Sequence, residues 1–185
     1  MQQSLVTRLW PQTADSLAAR GLLVVLGCLL LIASAKVQVP FWPVPMTMQT
    51  FVVLGIGAAY GARLAGVTLA AYLGQGAIGL PVFAGGGGLA YLAGPTGGYL
   101  VGFFVAAVLV GALADRGYCR TWLSTLAAFA LGTLTIFALG AGWLAVLFGP
   151  EVALASGVLP FVISELAKVV LAALVFPLIW KRAGG

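Results

Sequence analysis

Two ionisable residues, Glu165 and Lys168, stand inside the last apolar run of the sequence, LPFVISELAKVVLAALVFPLIW. Their i, i+3 spacing places both side chains on one face of a helix. A charge inside a bilayer costs several kcal/mol, and such residues usually face the interior of a helix bundle and mark a substrate path. The pair either neutralises itself as an internal ion pair or, as we expect, presents an acid and an amine to a small molecule with an anionic end and an amide-like end.

Further polar side chains are expected at the same end of the bundle. Gln49 follows a proline-rich loop in PMTMQTF, flanked by threonines, and Tyr72 lies in a later apolar run. Tyr91, Thr96 and Tyr99 lie in or beside a glycine-rich segment. An amide and several phenols beside apolar rings are typical of a small-molecule pocket. Tyr is also common at membrane surfaces as an anchor, so each residue alone is a weak indication.

The segment GLPVFAGGGGLAYLAGPTGGYL, residues 79–100, interrupts the apolar helices with glycine and proline. The glycines that we single out in it are Gly85, Gly86, Gly87, Gly88, Gly97 and Gly98. The segment contains no lysine, so it does not match a phosphate-binding loop. Non-helical backbone at membrane depth is tolerated where protein buries it or a cavity solvates it, and glycine lets backbone approach a ligand closely. We therefore predict that this segment forms a lid, whose main role is to close the pocket and not to select the ligand.

The composition is that of an integral membrane protein. Hydrophobic residues make up 62% of the 185 residues and charged residues 7%, whereas a soluble domain has about 25% charged residues. The sequence contains no histidine, which removes the commonest general base and metal ligand. We therefore predict neither an enzyme, nor a metal site, nor a cofactor.

The net charge of the chain is +5. Because basic residues of membrane proteins collect on cytoplasmic loops, this charge indicates how the chain is oriented in the membrane and does not indicate nucleic-acid binding. Cys28 lies in a span and Cys119 in a basic loop, so we expect no disulfide between them.

Continuous apolar runs predict an all-α bundle of six transmembrane helices, in a single domain over residues 1–185, because a spanning helix needs about 20 apolar residues. The predicted spans are residues 17–35, 46–60, 64–80, 97–114, 121–141 and 158–180, with a tight turn at GAR and a connector at GPEVALASG. Six spans put both termini on one side. The basic residues on that side are Arg8, Arg20, Arg63, Arg116, Arg120, Lys181 and Arg182. The positive-inside rule therefore predicts cytoplasmic termini.

Four motifs resemble the BioY family. They are PVPMTMQTF after the first span, GLPVFAGGGG, GPTGGYLVGF, and LPFVISELAK in the last span. Their order and spacing also match, from Ala33 to the C-terminus. The resemblance implies a six-helix biotin-binding subunit, or S component, of an energy-coupling factor transporter in the bacterial cytoplasmic (inner) membrane. It also implies as partners a transmembrane coupling subunit and two cytoplasmic ATPases, which would supply the energy source for which this chain has no nucleotide-binding motif.

Biotin joins a carboxylate tail and a cyclic urea through an apolar body, which agrees with the anion-plus-amide profile of the charged pair. The resemblance implies that Lys168 meets the carboxylate or the urea oxygen, and that Glu165 and Gln49 meet the urea. The aromatic residues that it assigns to the ring and tail are Tyr72, Phe83, Tyr91 and Tyr99. The family commonly has Asp in place of Glu165, and a polar or basic residue in or after the glycine-rich loop, where this chain has only Thr96 and two tyrosines.

Two alternatives stay open at this point. One is an S component for another vitamin, such as thiamine or riboflavin, and the other is a structural or channel-forming membrane protein, which would show no saturable ligand binding. In the S-component class, small residues on the first helix contact the coupling subunit. The residues of that kind here are Ala14, Ala18, Gly21 and Gly27.

Overall fold

The computed structural model describes residues 4–13 and 16–183, and Ala14 lies outside the described residues. The elements in chain order are α1 (Leu5–Leu9), a 3₁₀ turn (Pro11–Thr13), α2 (Leu17–Lys36), β1 (Gln38–Val39), β2 (Met46–Thr47), α3 (Gln49–Ala77), α4 (Leu89–Leu92), α5 (Gly97–Asp115), α6 (Trp122–Phe148), α7 (Pro150–Gly157), a second 3₁₀ turn (Leu159–Phe161) and α8 (Val162–Arg182). Five helical segments in these ranges are long and apolar enough to cross a membrane: α2, α3, α5, α6 and the run Pro150–Arg182. The chain is an all-helical multi-pass membrane protein.

The longest helix, α3, reverses direction at Gly61. The φ of 77° and ψ of 169° at this residue are not helical. Gln49 Nε2 donates a hydrogen bond of 2.6 Å to the hydroxyl of Tyr72, although a straight helix would hold these residues about 35 Å apart at 1.5 Å per residue. The two halves of α3 therefore lie side by side, and they correspond to the predicted second and third spans.

The reversal is fixed by the end of α5. The backbone N–H of Ala62 donates to Asp115 Oδ2 at 3.0 Å, so this carboxylate binds the first free amide of the second half of α3. Any side chain on Gly61 would collide with Asp115, and one on Gly111 would collide with the backbone of the turn. Glycine is needed at Gly61 because few other residues adopt a positive φ without strain.

Helix boundaries differ from the predicted spans at the C-terminal end. The predicted connector GPEVALASG contains a short helix, because its residues from Pro150 onward form α7. Proline is compatible with the first helical position, where no intrahelical partner for an N–H is required. The last long helix begins at Val162 and not at residue 158, so Glu165 lies in its first turn. An acidic side chain there interacts favourably with the helix dipole.

Two loops meet at one end of the bundle. The proline-rich loop, residues 37–48, includes the antiparallel pair β1–β2, and Lys36 just before it donates from Nζ to the carbonyl oxygen of Phe83 at 2.7 Å. Phe83 belongs to the glycine-rich loop, residues 78–96. We call this the loop end.

Arginines gather at the opposite end, which we call the arginine end. There the guanidinium groups of Arg8 and Arg120 lie 5.5 and 4.8 Å from the ring centre of Trp180. These contacts bring together the N-terminal segment, the α5–α6 connection and the end of α8.

Candidate functional site

A narrow inner cavity lies at the loop end, among α3, α5, α6 and α8. Its lining residues are Val44, Pro45, Thr47, Gln49, Thr50, Phe83, Ala84, Tyr91, Thr96, Tyr99, Leu100, Phe103, Ile136, Phe137, Phe161 and Glu165. The walls are mainly apolar and aromatic, and the centres of water-sized spheres fit into about 50 Å³ of the space. All predicted substrate-binding residues line this cavity except Tyr72 and Lys168.

Lys168 lies behind the cavity wall, with every ammonium donor directed at a protein atom. Its Nζ donates to the backbone oxygen of Thr47 at 2.7 Å, to Thr50 Oγ1 at 3.0 Å and to Glu165 Oε1 at 2.6 Å. An ammonium group has three donors, so these contacts satisfy it. Lys168 thus holds the carboxylate in place from behind, as an internal ion pair would.

Glu165 is the acidic residue of the cavity wall. It is only 5% exposed, and its Oε1 accepts from both Lys168 and Thr50 Oγ1, the latter at 3.0 Å. A carboxylate offers about four acceptor positions. The second oxygen, Oε2, is therefore available to an N–H donor from a ligand, and a hydrogen bond to an ionised group is stronger than a neutral one.

Gln49 is held by Tyr72, which lies behind it and does not line the cavity. The Tyr72 hydroxyl donates to the carbonyl oxygen of Val82 at 3.2 Å and accepts from Gln49 Nε2 at 2.6 Å. Because the phenol proton goes to Val82, Gln49 must use its nitrogen toward Tyr72. The amide oxygen of Gln49 is then the atom that can accept from a ligand. Tyr72 is a positioning residue in this structure.

The glycine-rich loop covers the cavity through aromatic side chains. Phe83 is 1% exposed, and its ring stacks on Tyr91 with centroids 5.2 Å apart. Tyr91 accepts from the N–H of Gly85 at 3.2 Å. Gly86 and Gly88 have φ values of 142° and 96°, which other residues rarely adopt.

A fourth glycine of the loop is required by close contact. Any side chain on Gly87 would collide with the carbonyl oxygen of Leu80. The loop therefore has the position of a lid, while its ordering by a ligand stays a prediction.

Gly97 and Gly98, which we assigned to the lid, lie in the first turn of α5, at the start of the predicted fourth span. A side chain on Gly98 would collide with Trp143 and with the carbonyl oxygen of Leu139. Glycine at Gly98 allows α5 and α6 to pack closely, whereas Gly97 packs against the backbone carbonyl of Leu92 in the glycine-rich loop.

Several cavity residues were not predicted. Phe161 and Phe137 form part of the aromatic wall, with ring centroids 5.9 Å apart. Phe161 is four residues before Glu165, a spacing that could have indicated a shared helix face. Tyr99, which was predicted, lines the cavity with its ring and donates its hydroxyl to the carbonyl oxygen of Gly157 at 2.7 Å.

A wider space, which we call the vestibule, lies between the two loops. About 420 Å³ of it admits the centres of water-sized spheres. Pro45, Tyr91 and Thr96 line both spaces. The vestibule is therefore adjacent to the inner cavity and forms its approach from the loop end.

Comparison with known proteins identifies the family. A model of the BioY family matches residues 5–185. The probable biotin transporter BioY of Pyrococcus horikoshii is 38% identical over 154 residues, which are 83% of this chain and 91% of that protein. The biotin transporter BioY of Thermotoga maritima is 38% identical over 148 residues, 79% of this chain and 86% of that protein.

A solved structure shows the same fold. It is the S-component for biotin from an ECF-type ABC transporter, and it matches with a TM-score of 0.77 and 24% identity over 89% of this chain and 92% of that one. The present chain belongs to the BioY family.

Proposed function

We propose that this chain captures biotin and works as the substrate-binding subunit of an ATP-driven vitamin transporter in the cytoplasmic membrane. The observation that carries the proposal is the Glu165 carboxylate, held in place by Lys168, in a mainly apolar and aromatic cavity beside the Gln49 amide. Such a cavity suits an apolar ligand with one strongly hydrogen-bonding end. The relatives named as biotin transporters support the same ligand.

The cyclic urea of biotin is the end that enters the inner cavity in this proposal. Its two N–H groups are donors, and two acceptors available to them on the wall are Glu165 Oε2 and the Gln49 amide oxygen. The carboxylate of biotin points away, because two like charges in a poorly solvated site repel each other. Lys168 acts through Glu165, whose carboxylate it holds in place by direct contact.

We further propose six membrane crossings within one domain, counting the two halves of α3 separately. The arginine end then faces the cytoplasm with both termini, which agrees with the positive-inside rule. The loop end, with the inner cavity and the vestibule, faces outward, where a vitamin is captured.

The proposed partners are a transmembrane coupling subunit and two cytoplasmic ATPases. Of the small residues on α2, Ala18 is exposed and Gly21 has open space beside it, so both suit a helix–helix contact in lipid. Gly27 does not, because it is buried and packs against Thr68 and Tyr60. The contact is therefore expected near the start of α2.

A ligand screen on the purified protein tests the function. We expect saturable, tight binding of biotin by titration calorimetry, and none of thiamine or riboflavin. Lack of tight biotin binding would overturn the proposal, tight binding of another vitamin would change the substrate, and no saturable ligand would favour a structural or channel protein. Uptake of labelled biotin with and without the coupling and ATPase subunits then tests the partnership.

A further inference from the structure

The vestibule and the inner cavity differ in charge. The inner cavity carries one acidic residue and no basic residue on its wall, the acidic residue being Glu165. The residues that line the vestibule are prolines, glycines, aromatic rings, Ala90, Gln38 and Thr96, and none of them is charged. The vestibule is also much the wider of the two spaces.

No cation among the described residues lines either space. Lys168 is committed to three protein acceptors behind Glu165. Lys36 is the cation bonded to the glycine-rich loop, but its Nζ bonds the carbonyl oxygen of Phe83 and it lines neither space. The carboxylate of a bound biotin that extends out of the inner cavity therefore meets water and uncharged groups.

Selectivity for a free carboxylate would require a feature that the vestibule lacks. A site rejects an analogue strongly when the analogue leaves a buried polar partner unpaired, or when it clashes with the wall. A hydrated carboxylate in an open, uncharged space provides neither condition. Replacing it by a neutral amide removes no ion pair, and an extension beyond it passes into the wide space between the two loops.

We propose that the ligand class of this protein includes biotin conjugated at its carboxyl group through a neutral amide. This inference rests on the proposed function and deepens it. The urea and ring system occupy the inner cavity, and the amide and its extension lie in the vestibule. Conjugates of this kind are what proteolysis of a biotinylated protein releases, so the substrate would be supplied by peptide-bond hydrolysis.

Two probes separate charge from size. Biotin primary amide removes the negative charge without adding length, and biocytin, in which the carboxyl group of biotin is joined to the lysine side-chain nitrogen, adds length. We expect both to bind the purified protein with affinities within about tenfold of biotin, which corresponds to 1.4 kcal/mol. A loss greater than tenfold for the primary amide would overturn the inference. If biotin itself fails to bind, the proposed function fails instead.

A matched pair of variants tests where the extension lies. Ala90 is exposed and lines the vestibule, whereas its neighbour Leu89 is exposed and does not. We expect Ala90→Trp to weaken biocytin at least tenfold more than biotin, and Leu89→Trp to affect both ligands equally. Equal effects of Ala90→Trp on the two ligands would contradict this placement of the extension.

Lys36→Gln tests whether Lys36, the cation bonded to the glycine-rich loop, contacts the ligand carboxylate. If the vestibule is as uncharged as its lining indicates, this change alters the affinities for biotin and for its primary amide by the same factor. A selective loss of biotin, with the amide unaffected, would show that Lys36 pairs with the carboxylate and would overturn the inference.

Discussion

The two ends of the bundle use charged residues in different ways. At the loop end, the charges of Glu165 and Lys168 lie together in the helix bundle, and one carboxylate oxygen remains available at a cavity. At the arginine end, Arg8 and Arg120 lie against Trp180, and Asp115 bonds a helix amide. The contacts at the arginine end hold helices together, whereas the carboxylate oxygen left over at the cavity can accept a hydrogen bond from a ligand.

The largest expected effect comes from breaking the loop-end pair. We expect Glu165→Ala and Lys168→Ala each to weaken biotin binding by about 100-fold, because hydrogen bonds to charged groups contribute about 1.5–3 kcal/mol. Titration calorimetry on the purified variants measures this. Both variants should insert into the membrane normally.

The control for this experiment is Lys181→Ala, an exposed lysine at the arginine end, which should bind biotin like the wild type. Wild-type affinity in both loop-end variants would return Glu165 and Lys168 to the role of an internal ion pair.

At the arginine end, Gly61→Ala should lower stability without lowering affinity. A residue with a side chain at this φ costs about 1–3 kcal/mol, and its methyl group would also collide with Asp115. We expect a lower Tm in detergent and an unchanged Kd for biotin in the folded fraction. The matched control is Gly74→Ala, since open space surrounds Gly74 in the same helix. An unchanged Tm for Gly61→Ala would contradict the reversal at this residue.

A smaller effect is expected from Tyr72→Phe, which keeps the ring but removes the hydroxyl that orients Gln49. A neutral hydrogen bond contributes about 1 kcal/mol, so we expect biotin affinity to fall severalfold. The same change in a Gln49→Ala background should then have little further effect. If the loss is as large in that background, Tyr72 contacts the ligand directly and is not a positioning residue.

The smallest effect concerns Cys119, in the connection between α5 and α6. Burial raises the pKa of this thiol to about 12, so almost no reactive thiolate forms at neutral pH. Maleimide reagents should label it slowly in the folded protein and quickly after denaturation, as followed by mass spectrometry. Stability should fall as the pH rises above the ordinary thiol pKa, because only the unfolded chain ionises there. Fast labelling of the folded protein would contradict this burial.

The sequence predicted the long apolar helices and the charged pair, since both depend on local features. The turn at GAR was also visible, because glycine and arginine interrupt two apolar runs. The contacts of Lys168 with Thr47 and Thr50 could not be predicted, since they join residues 121 and 118 positions apart. These contacts and the one with Glu165 use the three donors of Lys168 within the protein, and the expected contact between Lys168 and a ligand stays a prediction.

The glycine-rich sequence is ambiguous for a different reason. Residue type alone does not distinguish a glycine that bends a loop from one that lets two helices approach. Gly86 and Gly98 illustrate the two cases, the first with a positive φ and the second packed against Trp143. Only the position of a neighbouring helix separates them, and that position depends on the tertiary structure.

Several side chains at the loop end donate hydrogen bonds to main-chain carbonyl oxygens. Lys36 and Gln38 donate to the carbonyl oxygens of Phe83 and Ala84, Lys168 to that of Thr47, and Trp143 to that of Gly94 at 2.9 Å. Every amino acid supplies a carbonyl oxygen, so the side chain at an acceptor position does not itself make the bond. In evolutionary terms, these hydrogen bonds constrain the donor residues, while the residue types at the acceptor positions are constrained by other contacts, such as the stacking of Phe83 on Tyr91.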